Sequence, residues 1–198
     1  MLRLTFVFSV LLSLAFKPVV AQNFQTALSA YQASDYATAI QEWTPLAEAG
    51  NTAAQFNLGL MYSTGKGVVQ DLGEAKKWYL LAGEQGYAKA QYYLGHMYDV
   101  GRGVNRDHSE ARKWYLLAAA QSNAKAQNNL AVIYEFGNGV LQDNILAHMW
   151  YNISSANGVG QASERRDRLA DRMTPEDISK AQAMARECMS SNYQNCGY

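Results

Sequence analysis

Histidines, cysteines and paired carboxylates are the side chains with which a chain most often does chemistry, and this one has few of them. Its three histidines, His96, His108 and His148, fall at unlike places, and no two are four residues apart or beside a cysteine, as a helical metal site would need. Cys188 and Cys196 have no histidine at a spacing that would activate a thiolate, and no serine stands in a G-x-S-x-G elbow. Asp71 with Glu74 and Asp107 with Glu110 invite an acid/base reading. Their spacing suits a capping box better, the aspartate satisfying orphan amides at a helix start and the glutamate reaching back. The Gly-x-Gly pairs at Gly65, Gly101 and Gly137 resemble phosphate cradles, yet a dinucleotide loop follows a strand, and these join helical patterns. The inventory predicts no catalytic residue, no metal ligand and no cofactor.

What positions these residues is internal repetition. Residues 53–86 return at 89–122 and again at 125–158, a period of 36. Nineteen of 34 positions agree between the first two copies, and eleven persist through all three, among them Gln55/Gln91/Gln127, Gly65/Gly101/Gly137, Asp71/Asp107/Asp143, Trp78/Trp114/Trp150 and Tyr79/Tyr115/Tyr151. In the first half of the unit Ala54, Leu58, Met61 and Tyr62 have the i, i+4, i+7, i+8 spacing of one helical face, which we term helix A. In the second half Ala75, Trp78, Tyr79 and Ala82 do the same for helix B. The intervening glycines supply the positive φ that a helix end and a tight reversal require. Leu146 replaces the capping glutamate in the third copy, so its helix B is expected to start less firmly.

A lone hairpin cannot cover its own apolar stripe, so the hairpins must stack and share a core. The fold class expected is all-α, stacked antiparallel helix hairpins. The repeated Trp-Tyr pair reads as the packing seam rather than a stacking surface for sugars or bases. An indole such as Trp78 buries on the order of 200 Å², an upper-bound gain of roughly 5 kcal/mol. Trp114→Ala is therefore expected to be strongly destabilising.

The run A-x-x-x-L-G-x-x-Y-x-x-G-x-G-V-x-x-D-x-x-E-A-x-x-W-Y-x-x-A, read from Ala54 to Ala82 and from Ala90 to Ala118, resembles the Sel1-like repeat, a relative of the tetratricopeptide repeat. The third copy departs from it at Ala131 and Leu146. The resemblance implies a right-handed α-superhelix, an α-solenoid, used to bind other proteins. Some exported relatives are weak hydrolases of β-lactams, but those carry a cysteine pair in every repeat, whereas this chain has only the terminal two.

Residues 1–21 stand apart. Arg3 precedes an apolar run from Leu4 to Phe16, and Val19-Val20-Ala21 offers small residues before Gln22. This reads as a secretory signal peptide, too short before Lys17-Pro18 to span a bilayer. The segment takes two of the seventeen basic residues and none of the seventeen acidic ones, leaving a net charge of −2 on residues 22–198. Such a balance disfavours nucleic acid and anionic membranes as partners. The expected organisation is one repeat domain over 22–198: an N-terminal capping repeat at 22–50 with a tight turn at Ser34-Asp35, repeats at 53–88, 89–124 and 125–159, and capping helices over 160–198. Arg165, Arg166, Arg168 and Arg172 alternate with Glu164, Asp167 and Asp171, which reads as a solvated face with Glu164 pairing to Arg168, more than as an anion site. Thr174 and Pro175 mark the start of a last helix. In an exported chain Cys188 and Cys196 are expected to pair, pinning the tail for about 2.5 kcal/mol by loop entropy.

Recognition should lie where the copies differ. The row on helix A that avoids the constant positions reads Phe56, Leu60, Ser63; Tyr92, His96, Asp99; and Asn128, Val132, Glu135. It offers aromatic anchors and carboxylates suited to a peptide or helix. The expected function is an exported, non-catalytic scaffold, periplasmic or secreted, that binds a protein partner and has no membrane span once the signal is cleaved. The other readings are the weak hydrolase and a structural or glycan-binding envelope protein.

Overall fold

The computed structural model describes residues 23–194 and 196. The signal-peptide reading of 1–21 lies outside the described residues. Ten helices follow one another among them, and no strand: α1 over 23–32, α2 (Tyr36–Glu48), α3 (Thr52–Thr64), α4 (Leu72–Glu84), α5 (Ala88–Val100), α6 (His108–Ala119), α7 (Ala124–Phe136), α8 (Asn144–Ala156), α9 (Gly160–Ala170) and α10 (Pro175–Ser190). In each repeat α3, α5 or α7 is helix A and α4, α6 or α8 helix B. Contacts divide the chain into two compact units, one ending at Leu81 and one beginning at Ala82.

Local chemistry fixes the ends. Helix A stops at Gly65, Gly101 and Gly137, each left-handed at φ of 70, 73 and 68°, and each donating its N–H back to Met61, Met97 and Ile133. Helix B begins on the repeated aspartate: Asp71 Oδ1 accepts from Gly73 and Glu74, Asp107 Oδ1 from Ser109 and Glu110, and Asp143 Oδ1 from Leu146. One correction follows. Glu74 and Glu110 do not close a capping box but pair forward with Lys77 and Lys113. The amide they were to satisfy is already used, since Asp71, Asp107 and Asp143 donate their N–H to the carbonyls of Tyr62, Tyr98 and Tyr134. The third copy, which lacks the glutamate, caps through one amide where the others use two, Leu146 N–H to Asp143 at 2.9 Å, in line with a less firm start.

In the first unit α1, α2 and α3 enclose Ala27, Ala39, Trp43, Leu58 and Met61, flanked by Phe24, Tyr31 and Tyr36. The turn between α1 and α2 is built by Ser34 at φ 63° and by Asp35, which caps α2 through the Thr38 N–H. In the second unit α5 packs on α6, α6 on α7, and α7 on α8, while α9 and α10 both pack on α8. Its core runs from Tyr115 and Leu130 through Met149, Trp150 and Ile153 to Leu169 and Ala185. Thr174 accepts from Asp177 N–H with Pro175 in the first turn, as the sequence predicts. Cys188 and Cys196 are joined as a disulfide, and both are buried.

The Trp-Tyr pair divides its work differently from expectation. Tyr79, Tyr115 and Tyr151 are all at most 1% exposed, whereas of the three repeat tryptophans only Trp150 is fully buried. Trp78 and Trp114 are half-buried. A methyl added at Gly95 would sit 2.5 Å from the Tyr115 ring, so glycine here lets the ring lie directly on helix A.

Candidate functional site

Helix A presents its variable row at 36-residue intervals, and each member can be placed by what it touches. In the first unit Phe56 is buried with its ring 5.8 Å from that of Tyr79, and Ser63 is buried with Oγ 3.1 Å from Tyr79 Oη. Leu60, between them, is partly exposed. In the second unit Tyr92 is half-buried, its ring 6.0 Å from Tyr115, 5.4 Å from Tyr93 and 6.4 Å from His96. Burial, with the nearby Tyr93 and Asp99 charges, pushes the Tyr92 phenol above its ordinary range. His96, Asn128 and Val132 are partly exposed.

The third position of the row is tied to the helix-B tyrosine sixteen residues later. Tyr115 Oη donates to Asp99 Oδ2 at 3.3 Å and accepts from Asn129 Nδ2 at 2.9 Å. Tyr151 Oη donates to Glu135 Oε2 at 2.7 Å. A phenol buried in a core must hydrogen-bond, and helix A supplies the acceptor each time. Burial first, then the adjacent carboxylate, raises both phenols well above the usual tyrosine range. The carboxylates take a second partner each: His108 Nδ1 lies 3.0 Å from Asp99 Oδ1, and Arg172 donates to Glu135 Oε1 at 2.6 Å. Phe56, Ser63, Asp99 and Glu135 thus build the hairpins as well as belonging to the row.

A second recurring device was not read from the sequence. The constant glutamines are buried, and Gln55, Gln91 and Gln127 donate Nε2 to the carbonyls of Ala47, Gly83 and Ala119, each eight residues back at the end of the preceding helix. Gln91 and Gln127 in turn accept from Gln121 and Asn157, both at 2.8 Å. An amide held constant at a core position was the signal.

His148 sits inside α8, 2% exposed, with Nδ1 lacking a hydrogen-bond partner. Burial, assisted by the charge of Arg166 and opposed by Asp167, lowers its pKa. Among the described residues no three His, Cys, Asp or Glu side chains are grouped to hold a metal ion, and no helix is long and apolar enough to cross a membrane. The partly buried carboxylates of the row, Asp99 and Glu135, thus each hold two partners.

The family model of the Sel1 repeat matches residues 52–87, 88–123 and 124–159, more than half of the chain. The chain belongs to the Sel1 repeat family. Its fold class is accordingly all-α, hairpins of the α-solenoid kind, and the Sel1 repeat is a protein-interaction scaffold type. Among solved structures it is similar to a Sel1 repeat protein from Oxalobacter formigenes, at 38% identity and a TM-score of 0.61 over 65% of this chain and 97% of that one. It is similar in fold to c5321, a protective antigen present in uropathogenic Escherichia coli strains displaying an SLR fold, at 23% identity and a TM-score of 0.55. That match covers 88% of this chain and spans 47% of the antigen's length. No curated protein matches the chain.

Proposed function

We propose that this Sel1 repeat protein is an exported, non-catalytic scaffold that grips a segment of another protein along the open members of the helix-A row in the second unit: Tyr92, His96, Asn128 and Val132. One observation carries the reading. The positions that repeat are consumed in building the hairpins, as caps, glutamine clamps and buried tyrosines, while these row members differ from copy to copy and keep exposed surface. Asp99 and Glu135 belong to the same row and are held by Tyr115 and Tyr151.

Crosslinking in the native host followed by capture tests the reading. A partner retained by the wild type is lost from the variant with His96, Asn128 and Val132 all changed to alanine, and kept by a Lys113→Ala variant. Equal retention by both rejects the row. Export is tested by sequencing the mature chain, which should begin at Gln22 outside the cytoplasm. A glycan-binding role has one supporting observation, the half-buried Trp78 and Trp114 rings. Quenching of their fluorescence by cell-wall oligosaccharides would favour it.

A further inference from the structure

Three of the arginines that alternate with acids along the sequence come to one cleft. Arg165, Arg168 and Arg172 recur at i, i+3 and i+7 and line one cleft of about 560 Å³, together with Glu135, Phe136 and Tyr151. Arg166 turns away to Asp167 and Asn152, and Glu164 forms no bridge to Arg168 among the described residues. The helix thus carries the solvated charged face expected of it, without the Glu164–Arg168 pair, and its Arg165, Arg168 and Arg172 side also lines the cleft.

The cleft already holds one carboxylate. Glu135 Oε1 accepts from Arg172 at 2.6 Å, Glu135 Oε2 accepts from Tyr151 Oη at 2.7 Å, and the Glu135 side chain is only 12% exposed. That single negative charge faces three guanidinium groups, which leaves two in excess. Arg165 lies beside the Tyr151 hydroxyl, and Arg168 is exposed. Next to them the ring of Phe136, at the end of α7, stands 64% exposed. A guanidinium group binds a carboxylate in a planar, two-point fashion, and an exposed ring beside it offers an apolar side chain a place to rest. A cleft of this volume and mixed lining exceeds what a lone small anion would fill.

We propose that this cleft is a docking site for an acidic segment of a partner polypeptide, an internal Asp or Glu side chain held by Arg165 and Arg168 with a neighbouring apolar side chain on Phe136. The inference rests on the protein-binding reading above and supplies the chemistry of one end of the partner. Glu135 is the resident competitor, so its charge limits the affinity of what enters.

The test uses the full chain and a fluorescent peptide of six glutamates and one phenylalanine, capped at both ends, with fluorescence anisotropy as readout. The wild type binds it, binding weakens steeply between 50 and 300 mM salt, and a hexalysine peptide does not bind. Arg168→Glu, a change at an exposed side chain that leaves thermal unfolding unaltered, lowers affinity at least about tenfold. Phe136→Ala lowers it several-fold, and Glu135→Gln raises it several-fold. Equal binding by Arg168→Glu overturns the proposal, as does binding of hexalysine, absence of binding by wild type, or displacement by low-millimolar inorganic phosphate. Failure here, with partner capture still dependent on His96, Asn128 and Val132, removes the acidic-segment site alone and leaves the scaffold reading standing.

Discussion

The hydroxyl of Tyr151 lies 2.7 Å from Oε2 of Glu135, and one repeat earlier the hydroxyl of Tyr115 lies 3.3 Å from Oδ2 of Asp99. A ring contributed by helix B is thereby anchored to a side chain of helix A, and the variable row is stitched to the constant core. In the proposed binding row, side chains held in this way are pre-oriented, which reduces the ordering cost of binding.

Removing the phenol oxygen tests the stitch. Tyr115→Phe leaves the ring packing intact but strands Asp99 and Asn129, and it should cost about 1–2 kcal/mol in denaturant unfolding. Tyr115→Ala, which empties a fully buried site, should cost about 3–5 kcal/mol. Trp114→Ala, at a half-buried ring, should cost clearly less than Tyr115→Ala. The reverse order would return the seam to the tryptophans.

Alkaline stability follows from the same pair. Tyr115 and Tyr151 resist ionisation in the folded chain, chiefly through burial and then through the carboxylates beside them. Their contribution is complete below the unfolded tyrosine pKa of about 10 and is lost as pH rises above it. A Tyr115→Phe, Tyr151→Phe double variant should show a flatter stability profile above about pH 10 than wild type, measured by urea midpoints.

His148 acts in the opposite direction. Its folded pKa is lowered, mainly by burial, so the unfolded chain takes up the proton first. Stability present above about pH 6.5 is lost as pH falls through the folded value. His148→Leu removes a buried nitrogen that has no hydrogen-bond partner and should abolish that acid-side loss at little or no cost near pH 8.

Caps give a comparison within one molecule. Asp107→Ala and Asp143→Ala should each cost about 1 kcal/mol, since Asp107 accepts two amides and Asp143 one at the start of helix B. Glu110→Ala should cost under about 0.5 kcal/mol, because the glutamate makes only an exposed pair with Lys113. A Glu110 effect as large as that of Asp107 would restore the capping box.

Much of this was legible in the sequence because the period imposes itself on every constraint at once. Gly65, Gly101 and Gly137 could end a helix in only one way, and the aspartates six residues on could do little but begin another. The division of labour within Trp-Tyr was not legible, since both residues are large and aromatic and periodicity assigns them the same seam. The deciding fact is that a buried tyrosine needs an acceptor. That acceptor varies among Ser63, Asp99 and Glu135, so it escapes a search for identical residues although all three carry an oxygen in the same place. The arginine cleft escaped for the converse reason: Arg165, Arg168 and Arg172 look neutralised by their neighbours in sequence, and only the fold brings them together beside Glu135, Phe136 and Tyr151.

The most direct test of the scaffold reading is site-specific photocrosslinking in the native host, with a photoreactive side chain placed in turn at His96, Val132 and Lys113. His96 and Val132 should capture the same protein, and Lys113, on the exposed face of helix B, should capture none. Capture from Lys113 in place of the two row positions would contradict the scaffold reading.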